Sequence, residues 1–408
     1  MNILYVNHYA GSVRHGMEYR PFYMAREWRK SGHRVRIVAA SHSHVRAIQP
    51  QVADSIERED IAGIEYFWLR TPPYVGNGLG RIRNMLAFVS GLYRHSGRLT
   101  AGHRPDVVIA SSTYPLDIFP CARIARKAEA RLVFELHDLW PLSPMELGSM
   151  PPWHPFIVTM QRGEDFACRN ADAVVSMLPN AEEHLASRGL PPGRFHYVPN
   201  GIDISGWTGD SEPLAQDIRA NLERLRAGQK LLVGYAGAHG LANALEHLIE
   251  AARLTRGEPI AYLLVGQGPE KGNLQNRALA LGLDNIVFLP AIPKAQIPAF
   301  LHEMDALFIG LQRKPIFRFG ISPNKLMDYM MAGKPVIHAI EAGNDVVVDS
   351  GCGISIRAED AAAIADAARR LAAIRPDERA VMGERGRRFV LENHDYRVLA
   401  KRFLEAIG

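Results

Sequence analysis

Cysteine is scarce in this chain: Cys121, Cys168 and Cys352 are the three among 408 residues. They are far apart, odd in number and lack C-x-x-C spacing, which argues against a disulfide framework or a zinc site. Long apolar runs are missing too, since no stretch reaches the ~18 residues that a membrane-spanning helix needs. The chain enters directly into an apolar strand at Asn2–Val6, without the charged segment and apolar run of a signal peptide. The pattern G-x-G-x-x-G does not follow that strand, which weighs against a dinucleotide site. Nor do arginines and lysines interleave with aromatics, as a nucleic-acid surface requires. These absences leave a cytosolic enzyme as the expectation.

What the chain has is length and alternation. At 408 residues it exceeds one ordinary core, and two domains of roughly 200 residues each are expected. Apolar content of 47% and charged content of 22% are those of a globular protein, and a net charge of +5 favours acidic partners such as phosphates. In the first half, strands are predicted at Ile3–Val6, 32–40, Glu57–Asp60, Ile64–Arg70, Asp106–Ala110, Arg131–Leu136 and Asp172–Ser176. Helices fall between them, the longest over Leu79–Leu99. The second half repeats the rhythm at Leu231–Tyr235, Ala261–Val265, Asn285–Phe288, Ala306–Ile309 and Pro335–His338. Short apolar runs bounded by Gly or Pro suit strands covered on both faces. The pattern predicts an α/β fold of two doubly wound parallel-sheet domains with a cleft at their strand ends. Residues 1–203 form the first domain, 204–228 a polar linker and 229–390 the second. Residues 391–408 hold the apolar helix Tyr396–Ile407, which crosses back to brace the first.

One stretch, Arg318-Phe-Gly-Ile-Ser-Pro-Asn-Lys-Leu-Met-Asp328, concentrates chemistry. Ser322 suits an N-cap and Pro323 the first helical position, so a helix is predicted from Pro323 to Ala332, with Gly333 just past its end. Its N-terminus offers free N–H groups and partial positive charge, flanked by Arg318 and Lys325, which makes an anion site. Asp328 lies one turn beyond Asn324 on the same side, within reach of ligand hydroxyls. A phosphate at the cap and a carboxylate for a diol suggest a nucleotide-sugar. The same spacing also describes a plain capped helix with solvated charges.

Across essentially its whole length the chain resembles GT-B glycosyltransferases of glycosyltransferase family 4. The matching pieces are Gly32-His33, Phe134-Glu-Leu-His-Asp138, Val198-Pro-Asn-Gly-Ile-Asp203, Gly266-Gln-Gly-Pro269 and Gly333-Lys-Pro-Val336. Asn7-His-Tyr-Ala-Gly11, Gly16-Met-Glu-Tyr-Arg-Pro21, residues 110–117, residues 137–148 and Ser322-Pro-Asn-Lys325 resemble the WbuB-like branch, associated with O-antigen L-fucosamine transfer. The resemblance implies retaining transfer from a nucleotide-sugar, UDP-linked, without metal or other cofactor. It implies an N-acetylated deoxyhexosamine such as L-FucNAc as the sugar. The acceptor it implies is a saccharide on undecaprenyl diphosphate, used in O-antigen or capsule assembly at the cytoplasmic face of the inner membrane. The sequence agrees in one respect, since no D-x-D pair stands at a strand end to hold a divalent cation. Phosphate charge then falls to helix ends and basic side chains.

By the same resemblance His137 contacts the donor sugar or its departing phosphate, with a neutral imidazole donating to a hydroxyl. Asp138 either orients His137 or caps the following turn. The donor side takes Gly237, Ala238, Gly240, Gly266, Gly268, Pro290, Ala291, Ile292, Arg318, Gly320, Ile321, Ser322, Pro323, Asn324, Lys325 and Asp328. The acceptor side takes Gly11, Arg14, His15, Gly16, Ser112, Thr113 and Tyr114. Two departures stand out. Of the family's paired glutamates, the second falls on Asp328 and the first on Gly320. The family's Arg/Lys pair is missing from Gly237-Ala-His-Gly-Leu-Ala-Asn243, and Lys325, ahead of Arg318, Arg313 and Lys314, is expected to replace its charge. Rival readings are a nucleotide-sugar 2-epimerase on the same scaffold and a non-catalytic nucleotide-sugar-binding subunit. On the helix Leu79–Leu99, Ile82, Met85, Leu86, Val89 and Tyr93 are expected to face the core. Arg83, Ala87, Ser90, Gly91, Arg94 and Arg98 form a strip suited to anionic headgroups.

Overall fold

The alternating apolar runs become two parallel sheets, each in its own unit of the chain. The computed structural model describes residues 1–76, 78–207, 212–228 and 230–408. One unit comprises Met1–Gly201 with Tyr396–Gly408, and the other Ile202–Asp395. Residues 208–211 of the expected linker, and Gln229 at the expected start of the second domain, lie outside the described residues. Within that linker stretch, Gln216–Ala227 is a helix that buries Ile218, Leu222 and Leu225 in the second unit's core.

The first unit carries β1 (Asn2–Val6), β2 (Arg34–Ala40), β3 (Ile56–Ile61), β4 (Ile64–Leu69), β5 (Val107–Ala110), β6 (Arg131–Leu136), β7 (Ala173–Ser176) and β8 (Phe195–Tyr197). Their order is β3-β4-β2-β1-β5-β6-β7-β8. All pairs are parallel except the β3–β4 hairpin, whose turn places Ala62 and Gly63 at positive φ, the backbone that tight hairpins need. β1 runs at the centre, with Leu4 opposite Arg36 of β2 and Tyr5 opposite Ile109 of β5. The direction of winding reverses between β1 and β5, so their carboxyl ends open a crevice. The helix Tyr396–Ile407, observed at its predicted bounds, seals this sheet: the Trp28 indole N–H donates to Ala400 O at 3.0 Å and its ring meets Phe403.

The long helix runs Leu79–Thr100, but its buried face is rotated from the predicted one. Met85, Phe88, Leu92 and Leu99 are buried, whereas Leu86 and Tyr93 are exposed. The periodicity was real, but Phe88 rather than Leu86 supplies the large side chain that the sheet accepts. Gly91 is small because a Cβ there would lie 3.2 Å from the Leu69 side chain.

The second unit carries β9 (Leu231–Ala236), β10 (Ile260–Val265), β11 (Ile286–Leu289), β12 (Ala306–Gly310), β13 (Val336–Ala339) and β14 (Gly353–Ile356). Their order is β11-β10-β9-β12-β13-β14, all parallel, so winding reverses between β9 and β12. Helix Asn324–Met331 begins one residue later than predicted: Pro323 is the cap position, with extended backbone and no side-chain cap bond. The cause is Asn344, which accepts from Ile321 N–H at 2.8 Å and donates to Ile321 O at 3.1 Å, holding the entry extended.

Candidate active site

In the first unit the chemistry gathers at the carboxyl ends of β1, β5 and β6. Glu135 and His137 are two residues apart and so emerge on one side of β6. Glu135 is fully buried, and every group around it is a donor. Arg20 Nε reaches Oε1 at 2.8 Å, while the Tyr5 hydroxyl at 2.6 Å and the Ser111 hydroxyl at 2.5 Å reach Oε2. His137 Nε2 lies 3.3 Å from the same Oε2 and 2.9 Å from Ser111 Oγ. Burial alone would push this carboxyl up, but Arg20, His137 and Ser111 hold it well below the usual carboxylate range. Arg20 spends its remaining donors on Pro199 O and Val198 O, at 2.5 and 3.0 Å. The carboxylate beside His137 is therefore Glu135. Asp138 accepts from Ser143 Oγ at 2.5 Å and Trp140 Nε1 at 3.3 Å, so of its two expected roles it fills that of fastening the following turn.

The expected acceptor residues are mostly engaged within the unit. Gly11 has no room for a Cβ, which would lie 2.0 Å from Gly16 O, and Gly16 sits at φ +94°. Arg14 turns to Glu59 on β3 at 3.1 Å. His15 is buried between Ser12 Oγ and that same Glu59, edge-on to Trp68. Ser112 Oγ accepts from His8 N–H, Thr113 is partly exposed, and the buried Tyr114 hydroxyl meets His8 Nδ1 at 2.5 Å.

In the second unit, two glycine loops and a helix end converge beyond β9. A Cβ on Gly266 would lie 1.9 Å from Gly237 O and one on Gly268 2.3 Å from His239 O, so only glycine lets these loops touch. Lys325, in the first turn of Asn324–Met331, reaches into the stretch where the family's basic pair is missing. Its Nζ donates to Asn243 Oδ1 at 2.6 Å and to the Tyr235 hydroxyl at 3.0 Å, and a Cβ on Gly237 would lie 3.2 Å from it. Burial lowers its pKa to about 8. Of the other cations expected to replace that pair, Arg313 pairs with Glu341, and the exposed Arg318 donates to Pro315 O and stacks on Phe319.

Asp328 is partly buried, and desolvation pushes its carboxyl up to about 6 against the pull of Lys294. Among the described residues no side-chain hydrogen bond reaches it. Gly320 stands at φ +102°, a backbone that disfavours the glutamate of the family pattern there. Pro290, Ala291 and Ile292 follow β11, the first two exposed. Sequence reading missed Arg20, Ser111, His239 and Lys271. Lys271 Nζ donates to Gly266 O and Leu289 O, bracing one glycine loop. His239 is fully buried, neither ring nitrogen has a hydrogen-bond partner among the described residues, and burial with nearby Lys271 and Lys325 lowers its pKa to about 4. The signal that was available was Glu135 itself, a carboxylate in an apolar strand that demanded a partner.

Comparisons with known proteins align with both units. A family described as "Glycosyl transferase 4-like domain" matches residues 15–201, and "Glycosyl transferases group 1" matches residues 218–389. The chain is 27% identical over 173 residues to the putative colanic acid biosynthesis glycosyl transferase WcaI of Escherichia coli, 42% of each chain. It is 27% identical over 324 residues to a GDP-mannose-dependent phosphatidylinositol monomannoside mannosyltransferase of Mycolicibacterium smegmatis, 76% of this chain and 78% of that protein. Among solved structures, HepE from Anabaena in complex with UDP and glucose superposes with a TM-score of 0.68 at 17% identity, covering 99% of this chain and 98% of that one.

Proposed function

The chain belongs to the GT-B glycosyltransferases, pairing a glycosyl transferase 4-like domain with a group 1 domain, and from that premise we propose that it transfers a hexosyl unit from a nucleotide-sugar with retention at the anomeric carbon. The observation that carries this reading is the end of helix Asn324–Met331. Lys325 stands there against mutually packed glycine loops, with Asp328 one turn further along the helix, both pushed toward neutrality by burial. A diphosphate beside Lys325 and a ribose diol on Asp328 return to each group the partner its burial withholds. Phosphate charge is met by Lys325, Lys271 and the helix N-terminus, without a metal ion or other cofactor. His137 contacts the reacting sugar. UDP is the favoured base-carrier, in line with the ligand of HepE, while GDP-mannose in the name of the mycobacterial relative makes GDP the alternative to test. The branch motifs favour an N-acetylated deoxyhexosamine such as L-FucNAc. Melting purified protein with a panel of UDP- and GDP-sugars tests the donor: one sugar should raise Tm, and no shift with any of them would overturn the reading.

The acceptor we propose is a lipid-linked saccharide, carried on undecaprenyl diphosphate for surface polysaccharide assembly and reached at the cytoplasmic face of the inner membrane. WcaI, named for colanic acid biosynthesis, is in keeping with it. No helix among the described residues is long and apolar enough to cross a membrane. The helix Leu79–Thr100 instead exposes Leu79, Leu86 and Tyr93, spaced seven apart, beside exposed Arg83, Arg94 and Arg98. At about 100° per residue the three apolar side chains fall on one line, an amphipathic surface suited to anionic headgroups. Arg70, Arg94 and His95 line a groove together with Asp54, Ala87, Ser90 and Gly91. Sedimentation with anionic liposomes at low salt should carry the protein down. An Arg83/Arg94/Arg98→Ser variant that binds equally well would overturn this surface.

A further inference from the structure

The donors around Glu135 leave only one place for the proton of His137. Asn7 is oriented by Tyr9 N–H, which donates to its Oδ1 at 2.9 Å, so its Nδ2 donates to Ser111 O and Oγ at 2.7 and 2.9 Å. Ser111 has a single proton, and that proton goes to Glu135 Oε2 at 2.5 Å, since two oxygens so close need one between them. The carboxylate cannot supply it, because the fully buried Arg20 guanidinium bonded to Oε1 keeps it ionised. His137 Nε2 faces Ser111 Oγ and Glu135 Oε2, both acceptors toward it, and must therefore carry its own hydrogen. In the neutral ring Nδ1 is then a bare lone pair, and among the described residues no hydrogen bond reaches it.

We propose that Arg20 and Glu135 are positioning residues that lock His137 as the Nε2–H tautomer, so that Nδ1 meets the reacting sugar as a hydrogen-bond acceptor. This rests on the reading of His137 as a contact of that sugar and reverses the polarity expected from sequence, where the imidazole donates. In this tautomer His137 selects a donor carrying a free hydroxyl at the contacted carbon and discriminates against one where that hydroxyl is replaced by an acceptor alone. Arg20 extends the control outward, because the guanidinium that keeps Glu135 ionised also holds the carbonyls of Val198 and Pro199.

Nitrogen NMR of the full chain labelled at histidine tests the lock directly, with the His137→Gln spectrum assigning the signal by difference. Wild type should show Nε2 protonated and Nδ1 bare; a proton on Nδ1 overturns the proposal without any variant having to fold. Glu135→Gln should lower kcat about ten- to a hundredfold, the worth of one charged hydrogen bond, with nucleoside diphosphate affinity unchanged. Unchanged kcat in folded Glu135→Gln would equally overturn it. The two readings separate cleanly. Full turnover in His137→Ala removes His137 from the reaction altogether, whereas an inactive His137→Ala with the proton on Nδ1 removes only the tautomer lock.

Discussion

Glu135 and Asp328 are both withdrawn from water, one in each unit, yet their surroundings push them in opposite directions. Glu135 receives Arg20, Tyr5, Ser111 and His137 and sits well below the usual range, while Asp328 receives no side-chain bond among the described residues and rises to about 6. A satisfied carboxylate is part of a finished scaffold that holds another group still. An unsatisfied one keeps its acceptor capacity for something that arrives later. Lys325 belongs with the second kind, its pKa lowered by burial and its Nζ bonded to neutral oxygens and set over the Tyr235 ring, with no carboxylate against it among the described residues. On the proposed reading, the first unit is prepared in advance and the second is completed by its ligand.

The sharpest way to break this contrast is at the buried pair. Arg20→Ala leaves Glu135 charged and unpaired, and urea unfolding should register a loss of about 3–5 kcal/mol. Asp328→Asn should instead leave the ligand-free protein as stable or slightly more so, because it removes a carboxylate that burial disfavours. Equal losses for both would erase the distinction. Next in size is His137→Ala, for which kcat should fall about a hundredfold, as for loss of one preorganised polar contact, with nucleoside diphosphate affinity intact. Titration calorimetry on Lys325→Ala should show the nucleoside diphosphate weakened about ten- to a hundredfold and the nucleoside much less. Asp328→Asn should weaken both ligands by about tenfold, through the ribose they share. The gentlest probe is pH. Affinity should hold between about 6 and about 8, fall below as Asp328 takes up a proton, and fall above as Lys325 loses one. Affinity that stays flat across both limits would detach both groups from the ligand.

Strands and the C-terminal helix were readable because their signal is local. Periodicity and Gly or Pro boundaries placed Arg131–Leu136 and Tyr396–Ile407 at their observed limits. The buried face of Leu79–Thr100 was not, since several apolar stripes coexist on that helix and only the sheet decides between them. The helix start at Asn324 was off by one because Asn344, twenty-three residues away from Ile321, sets it. Helix capping and spacing drew attention to Lys325 and Asp328, and motif likeness to His137. Neither revealed Arg20, which lies 115 residues from Glu135 and meets it only when β1, its loop and β6 are assembled.

The helix Tyr396–Ile407 also sets a timetable for synthesis. The first unit is discontinuous in the chain, interrupted by the whole of Ile202–Asp395. Trp28, Tyr23 and their neighbours meet Phe403 and Tyr396 to finish one side of that unit's core. On the ribosome its first 201 residues emerge early but cannot complete that core until the last turn is made. At ~5–20 residues per second the wait is roughly 10–40 s, during which an apolar wall stands open. The second unit, encoded without interruption, has no such wait and can fold while the first is still incomplete.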